Sequence, residues 1–244
     1  MNEWIVPDWP ASERVRALIT TRHGGHSAAP FDSLNLGDHV GDDPACVRRN
    51  RALLRQHGDL PGEPLWLNQV HGCAVAGCHT EGGVPPEADA STTTQPGRIC
   101  AVMTADCLPL LICDLGATRV AAIHAGWRGL VNGVIERSLA CFSQPGEELM
   151  VWLGPAIGPA AFEVGEEVRA AFVAVQPEAA PAFTTARPGH WFADIYQLAR
   201  LRLQAAGVGY IGGGGYCTHS DSARFFSYRR DGVTGRMASL IWLE

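Results

Sequence analysis

No lysine occurs in this chain: all 19 positive side chains among its 244 residues are arginine. That absence excludes a Schiff-base lysine, a phosphate-loop lysine and a lysine general base. Arginine stays protonated, so no basic side chain other than histidine can move a proton. There is no long basic run either. The densest cluster is Arg48, Arg49, Arg51 and Arg55, and the net charge is −6, which argues against nucleic acid as a partner. A small phosphorylated substrate stays open, because two or three arginines suffice to bind it. The opening MNEWIVPDWP has neither the basic nor the apolar stretch of a signal peptide. No apolar run approaches the ~18 residues of a membrane span. A cytoplasmic protein with no membrane partner is expected, its eight cysteines being thiols or metal ligands rather than disulfides. Heptads and a strict glycine period are missing, which excludes coiled coil and collagen, and 28 glycines with 16 prolines stay below the content of a disordered chain. Without repeats or a linker, residues 1–244 read as one domain.

What is present alternates between strand and helix. Asp42, Asp43 and Pro44 open a helix that continues through Val47, Leu53 and Leu54 to Gly58. PLWLNQVHG reads as a short strand ending in a loop. CAVMTADC, LPLLICD and RVAAIHAGWRG are three apolar runs, the first broken at Asp106-Cys107 and the last ending in a turn at Gly126 and Gly129. LVNGVIERSLACF places Val131, Val134, Ile135 and Phe142 on one helical stripe. LMVWLGPAIG is a buried strand stopping at Gly154-Pro155, and GEEVRAAFVAV is a helix with Glu166 and Glu167 where the dipole favours them. WFADIYQLARLRLQAAG reads as the longest helix, closed by Gly207. Short strands are expected around YIGG, FFSY and MASLIWL, with IGGGGY as a flexible loop. The class is α/β or α+β.

Most histidines and cysteines have ordinary explanations. His39, His57, His79 and His190 read as surface or satisfied polar residues, and Cys46, Cys73, Cys78, Cys100, Cys113, Cys141 and Cys217 as small hydrophobes. His71 in NQVHG, Cys107 in TADCLP and His124 in AAIHAGWRG differ, because each falls where an apolar run ends, the place where open α/β sheets put ligand sites. Their spacings, 36 (71 to 107) and 17 (107 to 124), suit a site assembled from separate segments and not a compact zinc knuckle. Two imidazoles and a thiolate can hold Zn²⁺ with its fourth position open, and zinc lowers the pKa of bound water to about 7. A metal-free pair, Cys107 as nucleophile with His71 or His124 as base, fits the spacing equally well. So does a chain in which the three never meet. Arg128 beside a helix start, and Arg229, Arg230 and Arg236 around a turn at Asp231-Gly232, could each meet an anion or simply water.

Taken together, LNLGDHVGDDP, NQVHG, VMTADCLPLLICD, AAIHAGWRGL, WLGPAIGP, FEVG and FFSYRRDGVTGRMASLIWL resemble the laccase-domain family, also called the YfiH or polyphenol-oxidase family. The resemblance runs from about residue 20 to the C-terminus. It implies a compact α/β fold of layered mixed sheets flanked by helices, akin to a cysteine-hydrolase-like toxin fold. It also implies a metal site on His71, Cys107 and His124. Family members are described as zinc-dependent phosphorylases of adenosine, inosine, guanosine and methylthioadenosine, some of which also deaminate adenosine. Older descriptions make them copper polyphenol oxidases, and bacterial members are linked to peptidoglycan-precursor editing. Where many relatives carry Cys-Cys-Tyr after the GPAIGP stretch, this chain has Ala160, Ala161 and Phe162, so thiols there are not essential.

On this basis purine nucleoside and phosphate are the expected partners, with Arg51, Arg128, Arg229 and Arg230 as phosphate ligands and Trp127 or Phe162 stacking on the base. Asp106 is the expected proton shuttle for deamination. Copper ranks below zinc, since the chain has four methionines and no clustered copper motif. A Cys–His thiol hydrolase or amidase is the runner-up. A purely structural zinc would need a fourth protein ligand, and none suggests itself. Oligomeric state is not legible.

Overall fold

LPLLICD and MASLIWL have no polar side to turn to water, and both become strands buried at every position. That requires a layer of protein on each face, and the architecture supplies it. The computed structural model describes residues 4–78 and 84–244; His79 lies outside them. In chain order the elements are β1 (Val15–Ile19), α1 (Pro44–His57), β2 (Val75–Gly77), β3 (Ala90–Thr93), β4 (Ile99–Thr104), β5 (Leu108–Asp114) and β6 (Val120–Ala125). There follow α2 (Trp127–Val131), α3 (Val134–Leu139), β7 (Leu149–Leu153), β8 (Glu163–Gly165), α4 (Glu166–Val175), β9 (Phe183–Arg187) and β10 (His190–Ala193). The chain closes with α5 (Ile195–Ala205), β11 (Tyr210–Gly213), α6 (Tyr228–Asp231) and β12 (Met237–Leu243).

A mixed sheet of order β11-β7-β5-β6-β3-β2 packs against an antiparallel sheet of order β1-β12-β4. Side-chain alternation assigns the layers. Leu108, Leu110 and Ile112 of β5, with Ala121 and Ile123 of β6, face outward onto Ile135, Phe172 and Leu198 of the helices. Leu111, Cys113, Ala122 and Trp152 face inward and meet Cys100, Val102 and Ile241 of the three-stranded sheet. The far face of that sheet, with Ala101, Met103, Leu240 and Trp242, is covered by Leu54 of α1 and by Leu34, Leu36 and Trp66. The result is an α+β fold in which the two sheets lie face to face, helices and the small antiparallel sheet β8-β10-β9 cover the outer side of the mixed sheet, and α1 covers the far side of the other. No helix of the described residues is long and apolar enough to cross a membrane.

Five local expectations are corrected. LVNGVIERSLACF is two helices, because Gly133 adopts φ 92° and starts α3 afresh. In WFADIYQLARLRLQAAG, Trp191–Ala193 belong to β10, and Asp194 caps the helix by accepting from Gln197 N at 3.0 Å. The helix therefore has 11 residues, fewer than the 14 of α1. PLWLNQVHG forms isolated pairings at Leu65 and Asn68 and no strand. At FFSY, Phe225 and Phe226 are buried and Ser227 caps α6, so Asp231-Gly232 ends a helix and is not a hairpin tip. IGGGGY is tied down: Ile211–Gly213 lie in β11, and Arg200 donates to the carbonyls of Ile211 at 3.1 Å and Gly213 at 2.7 Å.

Candidate metal centre and its cavity

Strand register brings the site together. β5 and β6 are antiparallel with Leu108 opposite Ala125, so Cys107, one residue before β5, stands beside the end of β6 that carries His124. On the other side of β6, Ala90 of β3 lies opposite Ile123. Asp89 therefore flanks His124 from there, and its carbonyl accepts from His124 N at 2.7 Å. The third donor comes from an irregular loop: His71 sits at φ 59°, a left-handed conformation that residues with a Cβ rarely adopt. The donor atoms of His71, Cys107 and His124 lie within 4.8 Å of one another, running from exposed through half-buried to buried. Cys107 Sγ is 3.9 Å from His71 Nε2, and the two imidazoles meet edge to face at 4.8 Å. The structure brings the three side chains together, although only Cys107 and His124 are placed by strands.

The electrostatics are those of an ion pair in waiting. Burial pushes the Cys107 thiol up, but His124 and His71 beside it pull it down to about 6. Burial lowers His124, and the Cys107 sulfur and the Asp89 carboxylate outweigh that to raise it to about 9. Asp89 is fully buried. Burial drives its carboxyl up, and the bonds from His124 and Gly72 overcome this and leave it below the usual range. It accepts from His124 Nδ1 at 2.8 Å and from the backbone N–H groups of His71 at 2.9 Å and Gly72 at 2.6 Å. Sequence reasoning passed over this residue; the available signal was a carboxylate lodged between small residues, Ala88 and Ala90, at the mouth of a strand.

A cavity of about 250 Å³ opens on the cluster, lined by His71, Asp106, Cys107, Trp127, Arg128, Phe162 and Arg229 among others. Arg128 stacks on Trp127 at 4.5 Å, and Arg229 sits over Phe162 at 5.6 Å with Nη1 donating to the Glu163 carbonyl. Asp106, at φ 93°, accepts from Thr218 Oγ1 at 2.6 Å and from the Arg229 N–H at 2.7 Å, so both carboxylate oxygens are engaged. The other two expected phosphate ligands do not line the cavity. Arg51 stacks on Trp66 at 4.2 Å and donates to the Leu36 carbonyl. Arg230 is saturated by Asp231 and by the carbonyls of Thr218, His219 and Phe225. His39, His57 and His190 stay outside the cluster, and all eight cysteines are free thiols. Among the described residues no second cluster of this kind exists.

Residues 16–244 match the family model described as multi-copper polyphenol oxidoreductase laccase. The chain belongs to that family, among its YfiH-type members. It is 58% identical over 245 residues, covering all of both chains, to a Pseudomonas aeruginosa protein named purine nucleoside phosphorylase. It is 54% identical over 243 residues, again covering all of both, to the Escherichia coli K12 protein named purine nucleoside phosphorylase YfiH. Among solved structures, a Neisseria meningitidis protein superposes with TM-score 0.96 at 52% identity over 99% of each chain. YlmD from Geobacillus stearothermophilus gives TM-score 0.93 at 33% identity over 99% of this chain and 96% of its own.

Proposed function

We propose that this chain is a zinc-dependent purine nucleoside phosphorylase. The observation that carries the reading is identity of 58% and 54% over the whole length of both chains with proteins named for that activity. The residues present suit the metal. Zinc takes nitrogen at about 2.1 Å and sulfur at about 2.3 Å, and a 3.9 Å separation of Sγ and Nε2 lets one ion reach both. Gly126 keeps the space open, since a Cβ there would meet side-chain atoms of His71, Cys107 and His124. When bound, zinc supplies Lewis-acid polarisation of a substrate oxygen.

The chain's own groups divide the remaining work. Arg128 and Arg229, at the rim of the cavity, bind phosphate through charge-assisted hydrogen bonds. Trp127, Phe162, Ile157 and Ile195 form an apolar wall for the purine. Asp106 holds the Arg229 backbone in place through its 2.7 Å bond. Because Thr218 takes its other oxygen, Asp106 suits anchoring better than the proton shuttling that adenosine deamination needs.

The test is to incubate the metal-loaded enzyme with adenosine or inosine, with and without phosphate, while following free base, ribose 1-phosphate and ammonia. Phosphate-dependent release of base, lost on chelation and restored by zinc, is expected. Base release without phosphate, or full activity after chelation, overturns the reading; the latter, with protection of Cys107 from alkylation by substrate, points to a thiol hydrolase.

A further inference from the structure

We propose that Asp89 is the positioning residue of the centre, one carboxylate that aims both imidazoles at the same point. The inference rests on the metal-centre reading above and goes beyond it, since Asp89 touches no substrate. Its two oxygens receive four donors. Oδ1 accepts from His124 Nδ1 at 2.8 Å and from His71 N at 2.9 Å. Oδ2 accepts from Gly72 N at 2.6 Å and Val70 N at 3.3 Å. Among the described residues this fully buried carboxylate is held by three backbone N–H groups and by the His124 ring, the one of these partners that can carry a positive charge. Burying a carboxylate in this way is expensive and needs a purpose.

Two consequences follow for the ligands. A carboxylate at Nδ1 keeps a proton there, so that when a metal displaces the other proton it is Nε2 of His124, on the side of Cys107 and His71, that becomes the ligand. The three backbone bonds from Val70, His71 and Gly72 clamp the loop that holds His71 in its left-handed conformation. That conformation is strained for a residue with a Cβ and persists only when its surroundings enforce it. The two histidines are 53 residues apart (71 to 124), and a single side chain ties their orientations together. In Asp89→Asn the amide is isosteric, yet its NH₂ must confront either His124 Nδ1–H or the loop N–H groups. The mismatch falls on ligand orientation, while the sheet registers of β3, β5 and β6 do not depend on it.

The experiment compares wild type with Asp89→Asn by zinc titration against a chromophoric chelator, by the Co²⁺ absorption spectrum and by thermal melting in chelator. The expected result is zinc affinity lower by about 10- to 100-fold, an altered Co²⁺ spectrum, and a metal-free melt that still shows a cooperative transition. Wild-type affinity and spectrum in Asp89→Asn overturn the proposal while leaving the metal centre standing. A wild type that binds no zinc overturns both. Should the variant fail to fold, long-range ¹H–¹⁵N spectra of histidine-labelled wild-type protein with zinc decide: Nε2 ligation with the proton on Nδ1 of His124 supports the assignment, and ligation through Nδ1 overturns it.

Discussion

Gly126→Ala is the sharpest probe of the centre, because it adds one carbon atom at the place where all three donors meet. The backbone there has φ −64° and ψ 157°, which alanine adopts without strain. The penalty is therefore steric and local. A Cβ at this position would stand 2.9 Å from His71 Cδ2, 3.2 Å from Cys107 Sγ and 3.5 Å from His124 Cε1. Carbon atoms in good contact sit about 3.5–4.0 Å apart, so the His71 ring must retreat by roughly half an ångström to one ångström. Metal sites tolerate about 0.2 Å in their bond lengths, and catalytic constellations about 0.5 Å in placement. His71 is the exposed donor on an irregular loop and yields first. Zinc affinity should fall by about 10- to 100-fold, as when a ligand's supporting contact is lost, and phosphorolysis at limiting zinc should fall with it. Overpacking adds roughly 1–3 kcal/mol of destabilisation, read separately from melts in chelator. Gly215→Ala is the control, because nothing lies within 4 Å of its added Cβ. If Gly126→Ala binds zinc and turns over like the wild type, the three side chains do not converge on one ion in the way described.

In chelated protein, iodoacetamide should alkylate Cys107 with a rate that falls as pH drops through about 6, where the thiolate is protonated; a midpoint near the ordinary thiol value refutes the ion-pair account. Cys113, which burial pushes up to about 12, should stay unmodified in the folded protein. Arg128→Ala and Arg229→Ala should each raise KM for phosphate by about tenfold or more, since a hydrogen bond to a charged group contributes about 1.5–3 kcal/mol, with KM for the nucleoside little changed. Unaltered phosphate KM in both variants removes them from the site. Arg230→Ala should do the opposite, lowering Tm by freeing the carbonyls of Thr218, His219 and Phe225 while leaving phosphate KM as it was; a raised phosphate KM at unchanged Tm would return Arg230 to the cavity.

The runs in β5, β6 and β7 were legible because burial on both faces leaves a signature in composition: seven or fewer mostly apolar residues that stop at an Asp or a Gly. The helix start at Asp43 was legible for the same local reason, whereas Asp194 was read as lying inside a helix that it in fact caps. Missed were features whose cause is distant in sequence. Ser227 caps α6 where two buried phenylalanines suggested a strand, and the core rather than local propensity decides where Phe225 and Phe226 point.

The centre shows the same division. His71, Cys107 and His124 could be chosen because ligand chemistry restricts residue type and strand ends restrict place. Nothing local tells Arg230, a clamp for three carbonyls, from Arg229, a cavity residue, since adjacent arginines on a short helix point to different neighbours. Asp89 was hidden for a related reason. Its role exists only once β3 lies beside β6 and the 70–72 loop folds over both, so its meaning is carried by register and not by spacing. A variant that shifted the β3–β6 register by one residue would turn Asp89 away from His124 while changing no ligand, and the centre would lose its aim with every donor still present.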